Sequence, residues 1–342
     1  MTNSSSVIHT ERERIRALPP NVTFLDLIRR NKRKSVVLMI GMGLLTVALG
    51  AALAVAMAAW GGGGGEALVP SLLVGGGIAA VVTVAASFWS LHGGSSAILR
   101  MSGAKPIEKK DDPQLFNVVE ELAIAAGVPM PRVFLIQDDA INAFATGRDP
   151  EHGAVAITTG LRARLTRDEL AGVMAHELSH IRNYDIRFAM LMATMVGLIV
   201  FACDAFWRVL FYSRLSGGSR RGGGGGKGNP AMLIIVVVAV ILAIIAPMLA
   251  MLIRFGVSRQ REYLADAAAV ELTRYPAGLI GALEKLGASK TPLKGANRAT
   301  AHMFIVNPLR SAMRGKGHEV SSAFRTHPPL HDRIDRLRAL ME

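Results

Sequence analysis

The chain has 342 residues, a net charge of +13 and a hydrophobic fraction of 51%, which is high for a soluble globular protein. Its single cysteine excludes an intrachain disulfide. The sequence has no nucleic-acid-binding motif and no basic stretch interleaved with aromatic residues. We therefore expect no nucleic-acid partner and attribute the charge to membrane topology.

Four long apolar stretches predict transmembrane helices over residues 36–60, 67–91, 188–212 and 231–253. A spanning helix needs about 20 apolar residues, so each stretch is long enough to cross a bilayer. Buried helices of a large soluble core are the alternative, which the much shorter average helix of soluble proteins disfavours. We expect a multi-pass α-helical membrane protein with membrane lipids around it.

A basic lead, residues 1–35, precedes the first span and ends in RRNKRK. The positive-inside rule then places the N-terminus in the cytoplasm, and four crossings return the C-terminus there. The loop after the third span conflicts with this topology, because it would lie outside yet carries Arg214, Arg220, Arg221 and Lys227. A hairpin of spans three and four that does not fully cross is the alternative.

Polar sequence on either side of the last two spans is expected to form one catalytic domain in two parts, 92–187 and 254–342, separated by 188–253. Apolar spacing predicts a helix that ends at Gly127, a strand at RVFLIQ, and a β-hairpin from INAFATG and AVAITTGL. Thr166 and Glu169 have the spacing of a capping box, which predicts a helix from about residue 167.

That helix carries His176 and His180, which are four residues apart and therefore share a face from which both can reach one ion. Glu177 lies on the flank, where it can hold a metal-bound water. This is the HExxH pattern of zinc peptidases. The alternative is a surface helix with polar residues at ordinary spacing.

A catalytic zinc also needs a third protein ligand. The extended motif HExxHxxGxxH is excluded because Asn183 and Ile186 stand where it requires Gly and His. If spans three and four continue as antiparallel helices, His180 and Glu262 reach the same height, about 12 Å above the membrane boundary at about 1.5 Å per residue. Glu262 is therefore the predicted third ligand.

Two acids are candidates to receive the free N–H of a ligand histidine. Asp266 lies one turn beyond Glu262 on the same face, and Asp185 closely follows His180. The alternative for Glu262 and Asp266 is a solvated helix face paired with nearby arginines.

The motifs HELSH, SRQREYLAD, NAFATG and THPPLHDRIDRLR resemble those of the HtpX family of membrane zinc metalloproteases, over nearly the whole chain. The resemblance implies four spans and a cytoplasmic α+β, zincin-like metalloprotease domain, mostly helical with a small sheet, holding one Zn²⁺ per chain. It matches Glu262 with the third zinc ligand and Glu177 with the catalytic base. It also implies an inner-membrane, stress-response endopeptidase that cuts misfolded or damaged membrane proteins.

The same resemblance suggests further residues. His327 corresponds to the histidine of the HPP motif and is expected to stabilise the oxyanion, with His331 as its competitor and a structural turn residue as the alternative. Asn142, Ala143 and Phe144 resemble an edge strand that binds unfolded substrates by β-augmentation, although an ordinary hairpin strand has the same pattern.

Two other functions are compatible with parts of the sequence. A CAAX-type prenyl-protein protease shares the metal motifs but is expected to have more than four spans. A membrane transporter or scaffold with a structural metal has no use for Glu177. Asp204 and Arg208, in the third span, are better explained as an ion pair than as a transport pathway. The sequence makes no prediction of the oligomeric state.

Overall fold

The computed structural model describes residues 24–61, 64–215, 230–289, 291, 293, 304–305 and 328–341. The first part of the basic lead, most of the Gly- and Arg-rich loop, and His327 lie outside these residues. The elements, in chain order, are α1 (Phe24–Trp60), α2 (Leu68–Met101), β1 (Ala104–Pro106), α3 (Pro113–Ala126), β2 (Arg132–Ile136), β3 (Ala143–Thr146), β4 (Ala154–Thr158), α4 (Thr159–Arg164), α5 (Arg167–Arg182), α6 (Asp185–Leu215), α7 (Pro230–Thr273), α8 (Pro276–Ala288) and α9 (Leu330–Arg338).

Four of these helices are long and apolar enough to cross a membrane, over Arg33–Trp60, Gly65–Met101, Asp185–Tyr212 and Leu233–Ile253. Large apolar side chains on them point outward, among them Val37, Val84 and Phe201, which are 68%, 70% and 71% exposed. Such a surface is stable against lipid tails and unfavourable in water. The predicted multi-pass membrane architecture is confirmed. The helices also extend past the predicted spans, and α7 continues as one helix to Thr273.

Helices α1 and α2 pack closely because glycines face small side chains across their interface. A Cβ at Gly75 would lie 2.2 Å from the Cβ of Ala54, and a Cβ at Gly50 would lie 2.4 Å from that of Ala79. Small residues at these positions let the two backbones approach, which is the usual means of helix association in membranes.

Outside the spans, four strands form a sheet in the order β1-β2-β4-β3. β1 is antiparallel to β2, β2 is parallel to β4, and β3 is antiparallel to β4 with Ala143 opposite Ile157. The predicted strand at RVFLIQ and the predicted hairpin are therefore present. An apolar core joins α3, the sheet, α5 and α8.

Helix α5 is held by a hydrogen-bonded cap at its beginning and by a close contact with α8. The side chain of Thr166 accepts from the backbone N–H of Glu169, whose carboxylate accepts from the N–H of Thr166, so the predicted capping box is present. Farther along, a Cβ at Gly172 would lie 2.6 Å from the backbone nitrogen of Leu279 in α8. This close backbone contact holds α5 against α8.

The prediction that both membrane helices continue straight to the metal ligands is correct for Glu262 and wrong for His180. Glu262 lies within the continuous helix α7. His180 lies in α5, which ends at Arg182, and α6 begins only at Asp185. Tyr184, between them, has a left-handed φ of 61°, which ends one helix and starts the next in a new direction.

Replacing Gly75 by leucine is expected to lower stability by about 1–3 kcal/mol, because the new side chain has no room between α1 and α2. Gly77→Leu is the matched control, since a Cβ at Gly77 meets nothing within 4 Å and lies in the same helix. Thermal unfolding of both variants in one detergent measures the difference. Equal midpoints for the two variants would contradict the close contact.

Candidate metal centre

The structure brings together the three predicted metal ligands, His176, His180 and Glu262, with ligand atoms that lie within 4.8 Å of one another. The two Nε2 atoms are 3.2 Å apart. Nε2 of His176 lies 3.6 Å from Oε2 of Glu262, and Nε2 of His180 lies 3.6 Å from Oε1. α5 supplies the imidazoles and α7 supplies the carboxylate.

These separations fit a single metal ion. Ligand atoms at about 2.0–2.1 Å from one tetrahedral ion lie about 3.3 Å from each other, close to the separations in this group. The donor set is also appropriate, since neutral imidazole and carboxylate bind first-row divalent metals. His176 and Glu262 are 1% and 5% exposed, so these two ligands are shielded from bulk water.

His176 is oriented from behind by Asp266, whose Oδ1 lies 2.9 Å from Nδ1 of the imidazole. This is the contact expected for Asp266 from its position one turn beyond Glu262. Arg333 in α9 holds the same carboxylate with two bonds, Nε to Oδ2 at 2.8 Å and Nη2 to Oδ1 at 2.6 Å. Its Nη1 lies 3.4 Å from Glu262. Arg333 is fully buried, so α9 is anchored on the metal centre.

His180 is oriented in the same way by Asp185, whose Oδ2 lies 3.1 Å from its Nδ1. In an unbroken helix Asp185 would lie about 140° around the axis from His180, at about 100° per residue, and would face elsewhere. The turn at Tyr184 brings the two side chains together. Oδ1 of Asp185 lies 3.0 Å from Nη1 of Arg261. Each imidazole thus has a carboxylate, and each carboxylate has an arginine.

Opposing effects set the charges of these buried groups. Burial and the charge of Arg333 lower the pKa of His176, but hydrogen bonds to Asp266 and Glu262 and the charge of Asp266 outweigh them and raise it to about 9. Burial raises the pKa of Asp266, whereas Arg333 and His176 lower it more. Burial lowers the pKa of Arg333, but the charges of Asp266 and Glu262 outweigh this effect and raise it. These effects favour the charged forms of His176, Asp266 and Arg333.

Glu177, the predicted catalytic base, lies on α5 between the two histidines and is 2% exposed. Its charge is among those that raise the pKa of Arg333, so the carboxylate of Glu177 and the guanidinium of Arg333 attract each other. A carboxylate in this position is adjacent to the metal ligands but is not one of the three grouped ligand atoms.

Of the residues predicted to bind substrate, Ala143 and Phe144 lie in the outer strand β3 of the sheet, and Asn142 immediately precedes it. The backbone carbonyl of Asn142 accepts from Thr158 in β4. The carbonyl of Ala143 already accepts from the N–H of Ile305 at 2.9 Å, and Phe144 packs edge-on against Phe304. Part of this strand is therefore already covered by Phe304 and Ile305 of the same chain.

The two histidines proposed for the oxyanion differ in what the structure shows. His327 lies outside the described residues. His331 lies in α9, with its side chain 76% exposed and its Nε2 2.8 Å from Asp332. His331 therefore faces solvent rather than the metal ligands.

Neither buried arginine is among the residues predicted from the sequence, although each has a signal. Arg333 falls between Leu330 and Leu337 on the apolar face of α9, and Arg261 is four residues before the buried Ala265. A cation on an apolar helix face indicates a buried partner. In this chain those partners are Asp266 and Asp185.

A cavity of about 450 Å³ adjoins the metal centre at the level where α1 and α6 begin their spans. Ser35 and Met39 line it from α1, Asp185 and Phe188 from α6, and Arg261 from α7. Asp185 in this lining contacts Nδ1 of His180, so the cavity lies behind that imidazole, on the side away from its Nε2.

Comparison with known sequences gives a match of residues 109–341 to Peptidase family M48. The Protease HtpX homolog of Dictyoglomus thermophilum is 44% identical over 256 residues, which are 75% of this chain and 78% of that protein. The Protease HtpX homologs of Limosilactobacillus reuteri and Lactiplantibacillus plantarum are 40% and 42% identical over 319 residues, covering 92% and 91% of this chain and 98% of each relative. The crystal structure of S. mikatae Ste24p has a TM-score of 0.48 and 22% identity, and the match covers 75% of this chain and 57% of that chain.

Metal uptake is expected to release about one proton from His176 near neutral pH, because a pKa of about 9 makes the imidazole cationic and a metal ligand must be neutral. Metal affinity should therefore rise with pH until the pH passes about 9, and the proton release from His176 should disappear above that value. Calorimetric titration in buffers of different ionisation enthalpy counts the protons. A release that is the same on both sides of this pH would contradict the assignment.

Proposed function

The chain belongs to Peptidase family M48 and is a membrane metalloprotease, and from this premise we propose that it is a zinc endopeptidase that cuts unfolded or damaged membrane proteins at the cytoplasmic face. One observation carries the proposal. Two imidazoles and a carboxylate converge at the spacing of a single ion, with Glu177 on the same helix as the imidazoles.

In this proposal His176, His180 and Glu262 hold one zinc ion. Two nitrogen ligands and one oxygen ligand from the protein are a usual set for catalytic zinc, which keeps a further position open. When bound, zinc supplies Lewis acidity, which brings the pKa of water toward about 7 and polarises the carbonyl of the scissile bond. Asp266 and Asp185 keep the two imidazoles in the orientation that presents Nε2 to the ion.

Glu177 is the proposed general base. Its carboxylate takes a proton from the attacking water and returns it to the amine that leaves, so one residue serves both proton transfers. Its burial supports this role, because a carboxylate shielded from bulk water exchanges its proton with the reacting groups. For the oxyanion we propose His327, and the exposure of His331 favours His327 over it.

Substrate binding is proposed at the outer strand β3, with Asn142, Ala143 and Phe144. Main-chain pairing gives affinity with little sequence preference, which suits a protease that acts on unfolded segments. Since the carbonyl of Ala143 is occupied by Ile305, an incoming peptide has to displace that contact or pair beyond it.

The membrane supplies the substrates in this proposal, and two features support it. The basic run Arg29–Lys34 precedes the first span, which by the positive-inside rule puts the metal centre on the cytoplasmic side. The cavity lined by Ser35, Met39 and Asp185 lies beside the membrane helices, behind His180. In this proposal a segment of a membrane-anchored substrate binds in that cavity.

Glu177→Gln is expected to lower the cleavage of an unfolded substrate about 10²–10⁴-fold while it leaves zinc binding intact, because glutamine cannot accept the water's proton. Activity and zinc content are measured on the same detergent-purified samples. If wild type and variant both bind zinc and neither cleaves a panel of unfolded substrates, the peptidase assignment fails and the metal is structural.

Met39→Trp is expected to slow cleavage of a membrane-anchored substrate severalfold more than it slows cleavage of a soluble peptide. The reason is that the indole is larger than the methionine side chain and fills the cavity. Val37→Trp is the matched control, since Val37 lies on the same helix with 68% of its surface exposed outward. Initial rates for both substrates in lipid nanodiscs give the ratio. An unchanged ratio for Met39→Trp would show that substrates take another route.

A further inference from the structure

Arg261 precedes Glu262 in α7 and is buried, with 7% of its surface exposed. Its guanidinium contacts two other helices at once. Nη1 lies 3.0 Å from Oδ1 of Asp185. The guanidinium carbon lies 3.6 Å from the ring centre of Phe188, and Nη2 donates to Oγ of Ser35.

These partners come from two different membrane helices. Ser35 stands near the beginning of the first span, on α1, whereas Asp185 and Phe188 stand at the beginning of the third span, on α6. Ser35 is itself 7% exposed, so its contact with Arg261 is buried between the helices. Arg261 therefore joins α1, α6 and α7 at the level where the spans begin.

The same carboxylate that binds Arg261 also orients a metal ligand. Oδ1 of Asp185 faces Arg261 and Oδ2 faces Nδ1 of His180, at 3.0 Å and 3.1 Å. Because both oxygens are engaged, the contact with Arg261 restricts the orientation of Asp185 and, through it, that of the His180 imidazole. Metal ligands held in this way bind more tightly than ligands free to rotate.

An arginine here is otherwise unfavourable. Arg261 is buried, and its carboxylate partner is Asp185. A buried cation is destabilising unless a partner compensates its charge, and an aliphatic side chain would pack the same space without that cost. The pairing of Arg261 with Asp185 and Ser35 points to a role in orientation rather than in packing alone.

We propose that Arg261 is a positioning residue, which orients His180 through Asp185 and makes the metal centre depend on the docking of α1 at Ser35. This inference rests on the proposed metal centre and adds that a residue of the first membrane helix controls metal affinity without touching a ligand. The contact runs from Ser35 to Arg261, from Arg261 to Asp185, and from Asp185 to His180.

The test uses the full chain in detergent and measures zinc affinity by competition with a chromogenic chelator, together with kcat and KM. Arg261→Met is expected to weaken zinc binding about 10–100-fold, and Arg261→Lys to recover part of that loss because it keeps the charge. Ser35→Ala is expected to weaken zinc binding severalfold. In each variant loaded with excess zinc, kcat should fall while KM stays close to that of wild type.

Arg162→Met is the matched control, because Arg162 also pairs with a partly buried aspartate, Asp112. Asp112 lies at the start of α3 and is not among the residues that contact the metal ligands. It should lower the thermal midpoint and leave zinc affinity unchanged. The double variant Ser35→Ala, Arg261→Met should bind zinc no more weakly than Arg261→Met alone, since Ser35 acts through Arg261.

Three results would overturn the proposal. Zinc affinity equal to wild type in both Arg261→Met and Ser35→Ala removes the positioning role while the protease assignment stands. An equal loss of affinity in Arg162→Met reduces the effect to general destabilisation. A wild-type chain that binds no zinc refutes the proposed function, and this inference falls with it.

Discussion

Each predicted metal-binding imidazole is held from behind by a carboxylate that is largely shielded from water, and the rest of the site depends on these two contacts. Because Asp266 and Asp185 occupy the Nδ1 atoms, the Nε2 atoms of His176 and His180 are left facing one another at 3.2 Å. Carboxylates shielded from water in this way are stable only with cations beside them. That requirement places Arg333 and Arg261, and through them the helices α9 and α7, around the HExxH helix.

Much of this arrangement can be predicted from the sequence, because the determining signals are local. Four uncharged or nearly uncharged stretches predict the spans by length alone. Thr166 and Glu169 predict the start of the helix that carries His176 and His180. Glu262 is found by a helical count from the fourth span, which succeeds because α7 is continuous from Pro230 to Thr273. Membership in a peptidase family disfavours the transporter and scaffold alternatives.

The remaining features depend on contacts between distant parts of the chain or on one unusual backbone angle. The turn at Tyr184 could not be predicted, since a tyrosine rarely adopts a left-handed conformation. Arg333 reaches Asp266 from the end of the chain, and Ile305 reaches β3 across a long sequence separation. A polar residue on an apolar helix face indicates that a partner exists, but only the packed structure identifies the partner.

The order of the residues along the chain also has a consequence during synthesis. His176 and His180 precede the third span, whereas Glu262 and both arginines follow the fourth. When His176 and His180 have emerged from the ribosome, the third ligand and the cations that stabilise the carboxylates have not yet been synthesised. The three ligands can therefore come together only after synthesis has passed the fourth span and reached Glu262.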